Sequence, residues 1–187
     1  IVTGGAPVAI RQITEQERQM LAAIAYLEDG VNGVQAMTAD IEVIFNRMDM
    51  NPAQYGATIE EVIRKAGQFE PVGRGLFDTL LASGNIPDEA FEAVDQALIN
   101  MANNTQLVAD ALYFANLDIV RQRHEAAMAA GNTYAGSWML DPSKMEPVLV
   151  IGDTTYGKRG GSYSAGTPWT GSRPIDEIAG LVHKQEA

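Results

Sequence analysis

The chain has 187 residues, 46% of them hydrophobic, and its 24 acidic and 13 basic side chains give a formal net charge of −11. That content suits one globular domain with a real core. The negative balance disfavours nucleic-acid binding through a basic face, and attraction to an anionic membrane. The absence of cysteine removes disulfides, thiolate zinc sites and cysteine nucleophiles together.

Residues 1–12, with Gly4, Gly5 and Pro7, read as an N-terminal arm. A helix begins near Thr14, which forms a capping-box pattern with Glu17. Met20, Leu21, Ile24, Ala25 and Leu27 fall on one face of it, and Gly30 is expected to stop it. Asn32-Gly33 is a turn signal. A second helix is predicted over 35–48, with Met37, Ile41, Ile44, Phe45 and Met48 as its apolar stripe and Glu42 as a solvated mid-helix residue. Pro52 and Gly56 break it. Thr58 and Glu61 form another capping box, opening a third helix that Gly67 ends. Residues 68–73 are expected to be irregular, because the residue before Pro71 avoids the helical region.

A short helix is expected over 74–83. Pro87 then opens a longer one, with Phe91, Val94, Leu98 and Met101 at three- and four-residue steps. Residues 111–116 read as a short extended piece or a helix end. Residues 118–130 read as a helix, with His124 on a solvated face. Val148–Ile151 and Thr154–Tyr156 flank Gly152-Asp153, the best hairpin signal in the chain. Residues 157–174 are a loop rich in Gly, Ser, Thr and Pro, and 174–185 a last helix. The expected class is α+β, mainly helical, with a small β-hairpin. Its folded domain spans 13–157, and a linker with a C-terminal helix spans 158–187.

Glu28 is the outstanding chemical candidate. It stands between the apolar first helix and the turn Asp29-Gly30-Val31-Asn32-Gly33. A carboxyl group there can be half-buried and still reach a cleft; half-burial raises its pKa, as general-acid cleavage of a glycosidic bond requires. From periodicity alone, the plainer reading is an exposed helix-end residue. His124 and His183 lie far apart and neither has a histidine at metal-ligand spacing, so no metal site is expected.

Six segments in order carry a family resemblance. They are the helix ending in Glu28, the Gly33-x-Gln35 turn, Val43-Ile44-Phe45-Asn46-Arg47, Ile59-x-x-Val62-Ile63, Gly67-Gln68-Phe69-x-Pro71-Val72, and Ala111-Leu112-Tyr113-Phe114-Ala115-Asn116 with the Ile151-Gly152 hairpin behind it. In that order the chain resembles the SleB-like cell wall hydrolases of the spore-cortex-lytic type. The resemblance implies a lysozyme-like fold of the lytic transglycosylase type over 13–157. It also implies cleavage of peptidoglycan glycan strands between N-acetylmuramic acid and N-acetylglucosamine. It makes Glu28 the catalytic acid/base and places Gln68, Phe69, Tyr113 and Asn116 along the sugar groove. No metal or organic cofactor is implied. The family's second glutamate has no counterpart, with Asn32 or Asp29 nearest, and its histidine after the Ile-Gly turn is replaced by Asp153, Thr154 and Thr155.

Each groove residue also has a plainer reading. Gln68 could cap the Gly67 turn, Phe69 could fill the core, Tyr113 could pack across strands and Asn116 could cap the next helix. Trp138 reads as packing an inserted segment, with a sugar platform as the alternative. Asn46 and Arg47 are expected to make buried scaffold bonds. No secretory signal pattern opens the chain, and its ends are linker-like. These features lead to the expectation of a virion- or particle-associated lysin, acting at the cell wall outside the cytoplasm. Its partners would be glycan strands and neighbouring particle proteins held through the termini, with no nucleic acid and no membrane insertion. The alternative is a non-catalytic structural subunit of a phage tail or gene-transfer particle that keeps the hydrolase fold.

Overall fold

The first helix, α1 (Glu15–Asp29), forms as its local sequence directs. Thr14 Oγ1 accepts from the Glu17 N–H at 3.1 Å, and the Glu17 carboxylate accepts from the Thr14 N–H at 2.9 Å. This computed structural model describes residues 10–160. Most of the expected N-terminal arm, the last helix over 174–185 and His183 lie outside the described residues. The chain divides into two compact units, one up to Ala109 and one from Asp110.

In the first unit the second helix, α2 (Val34–Met50), is buried without interruption from Ala36 to Arg47. A helix buried on every side is the centre of its fold rather than one face of it. Next come α3 (Pro52–Tyr55), α4 (Ile59–Arg64), α5 (Glu70–Gly73), α6 (Leu76–Ser83) and α7 (Asp88–Ala102). Helices α1, α4 and α7 pack against α2, and α6 packs on α1. The core is Leu21 and Ile24 of α1, Ile41, Ile44 and Phe45 of α2, Ile59 and Ile63 of α4, Phe77, and Val94 of α7.

Two short helices differ from expectation. Pro52 does not simply end α2; it opens the single turn α3, whose cap is the Asn51 side chain. The segment 68–73, expected to be irregular, contains α5 with Pro71 in its first turn. Proline is tolerated there because the N–H it lacks has no partner in a first turn.

Glu42 differs more. Expected in solvent, it is fully buried. Its Oε1 accepts from Asn100 Nδ2 at 2.9 Å and its Oε2 from the Val108 N–H at 3.2 Å. Asn100 Oδ1 in turn accepts from Gln96 Nε2 at 2.8 Å. The carboxyl therefore ties α2 to α7 and to the turn that follows it. Burial pushes its pKa up to about 7, with the Asn100 and Val108 donors pulling the other way. The solvated reading failed because its partners lie 58 and 66 residues away.

The second unit holds β1 (Tyr113–Ala115), α8 (Leu117–Ala129), a 3-10 turn (Ala135–Leu140), β2 (Met145–Ile151) and β3 (Thr154–Arg159). The sheet is antiparallel with order β1-β3-β2, so the expected hairpin gains a third strand and β3 runs two residues beyond the boundary expected at 157. The turn is where the sequence placed it, with Ile151 opposite Thr154 and Gly152 at φ +57°. His124 is not simply solvated: its Nδ1 lies 2.8 Å from Ser137 Oγ, linking α8 to the 3-10 turn.

Replacing Glu42 with alanine leaves the Asn100 amide and the Val108 N–H without acceptors in a dry core. Glu42→Ala is expected to cost about 3 kcal/mol, read by denaturant unfolding at neutral pH. A loss below about 0.5 kcal/mol would contradict the buried network, since that is the scale of an ordinary surface substitution.

Candidate active site

Glu28 is the last residue but one of α1. α1 ends at Asp29 with Gly30 as its C-cap, as the sequence predicted, but the chain does not turn away there. Gly30 keeps a right-handed helical conformation, φ −56°, and the backbone tightens into a 3-10 turn over Gly30–Asn32. The break comes at Gly33, whose φ of +89° is open to glycine at little cost. Asp29 is buried, and its Oδ1 accepts from Asn32 Nδ2 at 2.7 Å, clamping the turn. The three-residue spacing of Asp29 and Asn32 was visible in the sequence. Its use as a lock was not.

This turn leaves Glu28 half-buried. Loss of water raises its pKa from the usual 4.5 to about 7; the negative charges of Asp29 and Glu70 add to the rise, and Arg47 opposes it as the smallest of the four influences. Among the described residues no hydrogen bond or ion pair engages the Glu28 carboxyl. Near neutrality a large share of it is protonated, with the proton directed to no internal acceptor.

Arg47 is itself buried, with its guanidinium over the Tyr55 ring at 5.3 Å and the Phe69 ring at 5.4 Å. Neighbouring Asn46 donates from Nδ2 to the Ala109 carbonyl at 2.9 Å. Both therefore serve as scaffold, and Arg47 also acts on Glu28 through its charge. Glu70, in the first turn of α5, is the site residue whose effect on Glu28 sequence reasoning missed. Glu42 is committed to Asn100 and Val108 and offers no second carboxylate.

Gln68 is half-buried in the turn before α5, and its N–H donates to the Lys65 carbonyl at 3.1 Å. Phe69 stands at the N-cap of α5 with only 4% exposure, which leaves little of its ring for a sugar to touch. Glu28, Gln68 and Phe69 belong to the first unit; Tyr113 and Asn116 belong to the second. Tyr113 is half-buried on β1 with its ring edge-on to Trp138 at 4.8 Å. Asn116 Oδ1 accepts from the N–H groups of Asp118 and Ile119 at 3.0 and 3.2 Å, so it caps α8. Trp138 carries the Arg159 guanidinium over its ring at 4.0 Å, which takes up one face that a sugar would use. Among the described residues there is no group of three or more His, Asp or Glu side chains able to hold a metal ion, and no helix is long and apolar enough to cross a membrane.

Such an arrangement can donate a proton to a poor leaving group and take one back. The chain superposes on the catalytic domain of the germination-specific lytic transglycosylase SleB from Bacillus anthracis with a TM-score of 0.53 at 22% identity, covering 80% of this chain and all of that one. It superposes on the catalytic domain of the Bacillus cereus SleB protein with a TM-score of 0.54 at 22% identity, covering 83% of this chain and 99% of that one. At that identity the likeness establishes the lysozyme-like α+β fold. Curated protein sequences give no match. A sequence model of the cell wall hydrolase family matches residues 31–139, starting three residues after Glu28. That span is more than half of the chain, and this protein belongs to the cell wall hydrolase family, of the SleB-like type.

Proposed function

We propose that this protein cleaves peptidoglycan glycan strands between N-acetylmuramic acid and N-acetylglucosamine, with Glu28 as the single general acid/base. The observation that carries this reading is a half-buried carboxyl group with a pKa near 7 and no internal partner among the described residues. The family match stops short of Glu28, so its role rests on this geometry.

The glycosidic oxygen leaves only when protonated. Neutral Glu28 supplies that proton, and positive charge develops at the anomeric carbon. The resulting carboxylate then takes the proton of the attacking hydroxyl. If that hydroxyl is the C6–OH of the same muramic residue, the product is a 1,6-anhydro sugar and the reaction is that of a lytic transglycosylase. The intramolecular route needs one carboxylate, which fits a site where Glu42 is sequestered and Asp29 is bonded to Asn32. In the first unit we assign the amide of Gln68 to sugar contact, and in the second the flat ring and hydroxyl of Tyr113. Phe69 backs Arg47, and Asn116 positions α8. Action at the wall outside the cytoplasm follows from the substrate. A phage tail or gene-transfer particle is the setting we propose for it, supported by the Gly- and Ser-rich sequence after Arg159, which suits attachment to neighbouring proteins.

Zymography on purified peptidoglycan tests the core of this reading. Wild type is expected to clear a band, and Glu28→Gln to lose activity by about a hundredfold or more. Equal clearing by both would remove Glu28 from its role. Wall binding without clearing by wild type would favour the non-catalytic particle subunit. Mass spectrometry of the released fragments is expected to give anhydro-muramic ends.

Because the acid must start protonated, kcat/KM is expected to fall as pH rises through about 7. Glu70→Gln removes a like charge and should move that falling limb to lower pH; an unmoved limb would contradict the electrostatic origin of the shift. Stability carries the same signature. With its folded-state pKa raised above 4.5, Glu28 contributes stability below that value and loses it as pH rises through 7. Glu28→Gln should therefore gain stability over wild type between pH 4.5 and 8, by on the order of 2 kcal/mol, read as a melting-temperature difference that vanishes in acid.

A further inference from the structure

Among the described residues, most arginines lie beside carboxylates. Arg18, Arg64 and Arg121 each lie 2.9 Å from an aspartate oxygen. Arg159, at the exposed end of β3, is held differently. Its guanidinium lies 4.0 Å from the centre of the Trp138 ring and 5.7 Å from that of Tyr113, and its Nε donates to Tyr113 Oη at 3.5 Å. Tyr113 and Trp138 meet edge to face at an angle of 77°. Among the described residues no carboxylate lies within ion-pair distance of Arg159.

The sheet builds this arrangement. Tyr113 is paired with Gly157, two residues before Arg159, so the two side chains share one face as diagonal neighbours. Gly157 adds nothing between them; a Cβ there would lie 2.5 Å from Met145 Cε and 2.7 Å from the Glu146 carbonyl oxygen. Rings aim a guanidinium without cancelling its charge. Its planar fork is then ready to take a carboxylate through two parallel hydrogen bonds.

The net charge of −11 repels carboxylates from most of this protein's surface. The sugar rings of peptidoglycan carry N-acetyl and hydroxyl groups, whereas its stem peptides carry free carboxylates. We propose that Arg159, presented by Trp138 and Tyr113, is a binding site for a carboxylate of the peptidoglycan stem peptide. The site rests on the peptidoglycan reading above. It makes the protein a reader of the peptide as well as the glycan.

The test measures equilibrium binding of the full chain to three soluble probes: glycan fragments bearing stem peptides, the same fragments stripped by an amidase, and chitin oligosaccharides. Wild type should bind the peptide-bearing fragments about tenfold more tightly than the stripped ones. Arg159→Gln should erase that difference while leaving affinity for the stripped fragments and chitin oligosaccharides unchanged, and Arg159→Lys, which keeps charge but loses the fork, should fall between. Equal affinity of wild type for peptide-bearing and stripped fragments, or no measurable binding of the former at millimolar concentration, would overturn the site. So would an Arg159→Gln loss shared equally by all probes, as expected of a residue that only packs residues 130–144 onto the sheet. An Arg159-dependent gain confined to the stripped fragments would place the contact at the lactyl carboxylate and overturn the stem-peptide assignment. A wild type that prefers the peptide-bearing probe yet clears no peptidoglycan would sink the catalytic reading and leave this site standing.

Discussion

The withdrawal of one carboxyl group from water, with only the weak pull of Arg47 to hold its charge, is the constraint on which this site depends. A buried carboxylate is normally compensated by donors or by a cation. Glu28 has the opposite surroundings: two further acids, Asp29 and Glu70, and one guanidinium whose influence is the weakest of those acting on it. The backbone makes this possible. α1 runs into a 3-10 turn, Asp29 clamps that turn through Asn32, and Gly33 turns the chain into α2. The placement of the acid is thus a consequence of how two helices are joined.

Glu42 shows why an elevated pKa alone does not identify a catalytic group. It too is pushed up to about 7 by burial. Yet its oxygens are taken by Asn100 and Val108, and its side chain is closed off from solvent. One acid fastens the central helix to its neighbours; the other, half-exposed, has a proton to give. The cost of keeping Glu28 in an unfavourable place is carried by the rest of the helical unit, above all by α2 with its unbroken run of buried residues.

Local signals in the sequence were legible. The capping box at Thr14, the turn at Gly152 and the helix opening near Pro87 depend on residues three or four apart, and the structure has them there. What could not be read were features set by distant partners. Glu42 looked like a solvated helix residue because its donors come from α7 and the turn after it. The edge strand β1 was ambiguous because three residues carry too little pattern to separate a strand from a helix end. Gly30 ends α1 as expected, but the positive φ that turns the chain falls three residues on, at Gly33. At the candidate site, Glu28 stood out from its position between an apolar helix and a glycine-rich turn. The electrostatic roles of Glu70 and Arg47 needed three dimensions.

The most direct measurement is the titration of the Glu28 carboxyl itself, followed by its side-chain 13C chemical shift in labelled protein and assigned by comparison with Glu28→Gln. The account predicts a midpoint of about 7. A midpoint near the ordinary 4.5 would mean that the group is ionised at neutrality, and the single-acid mechanism would have no proton to begin with.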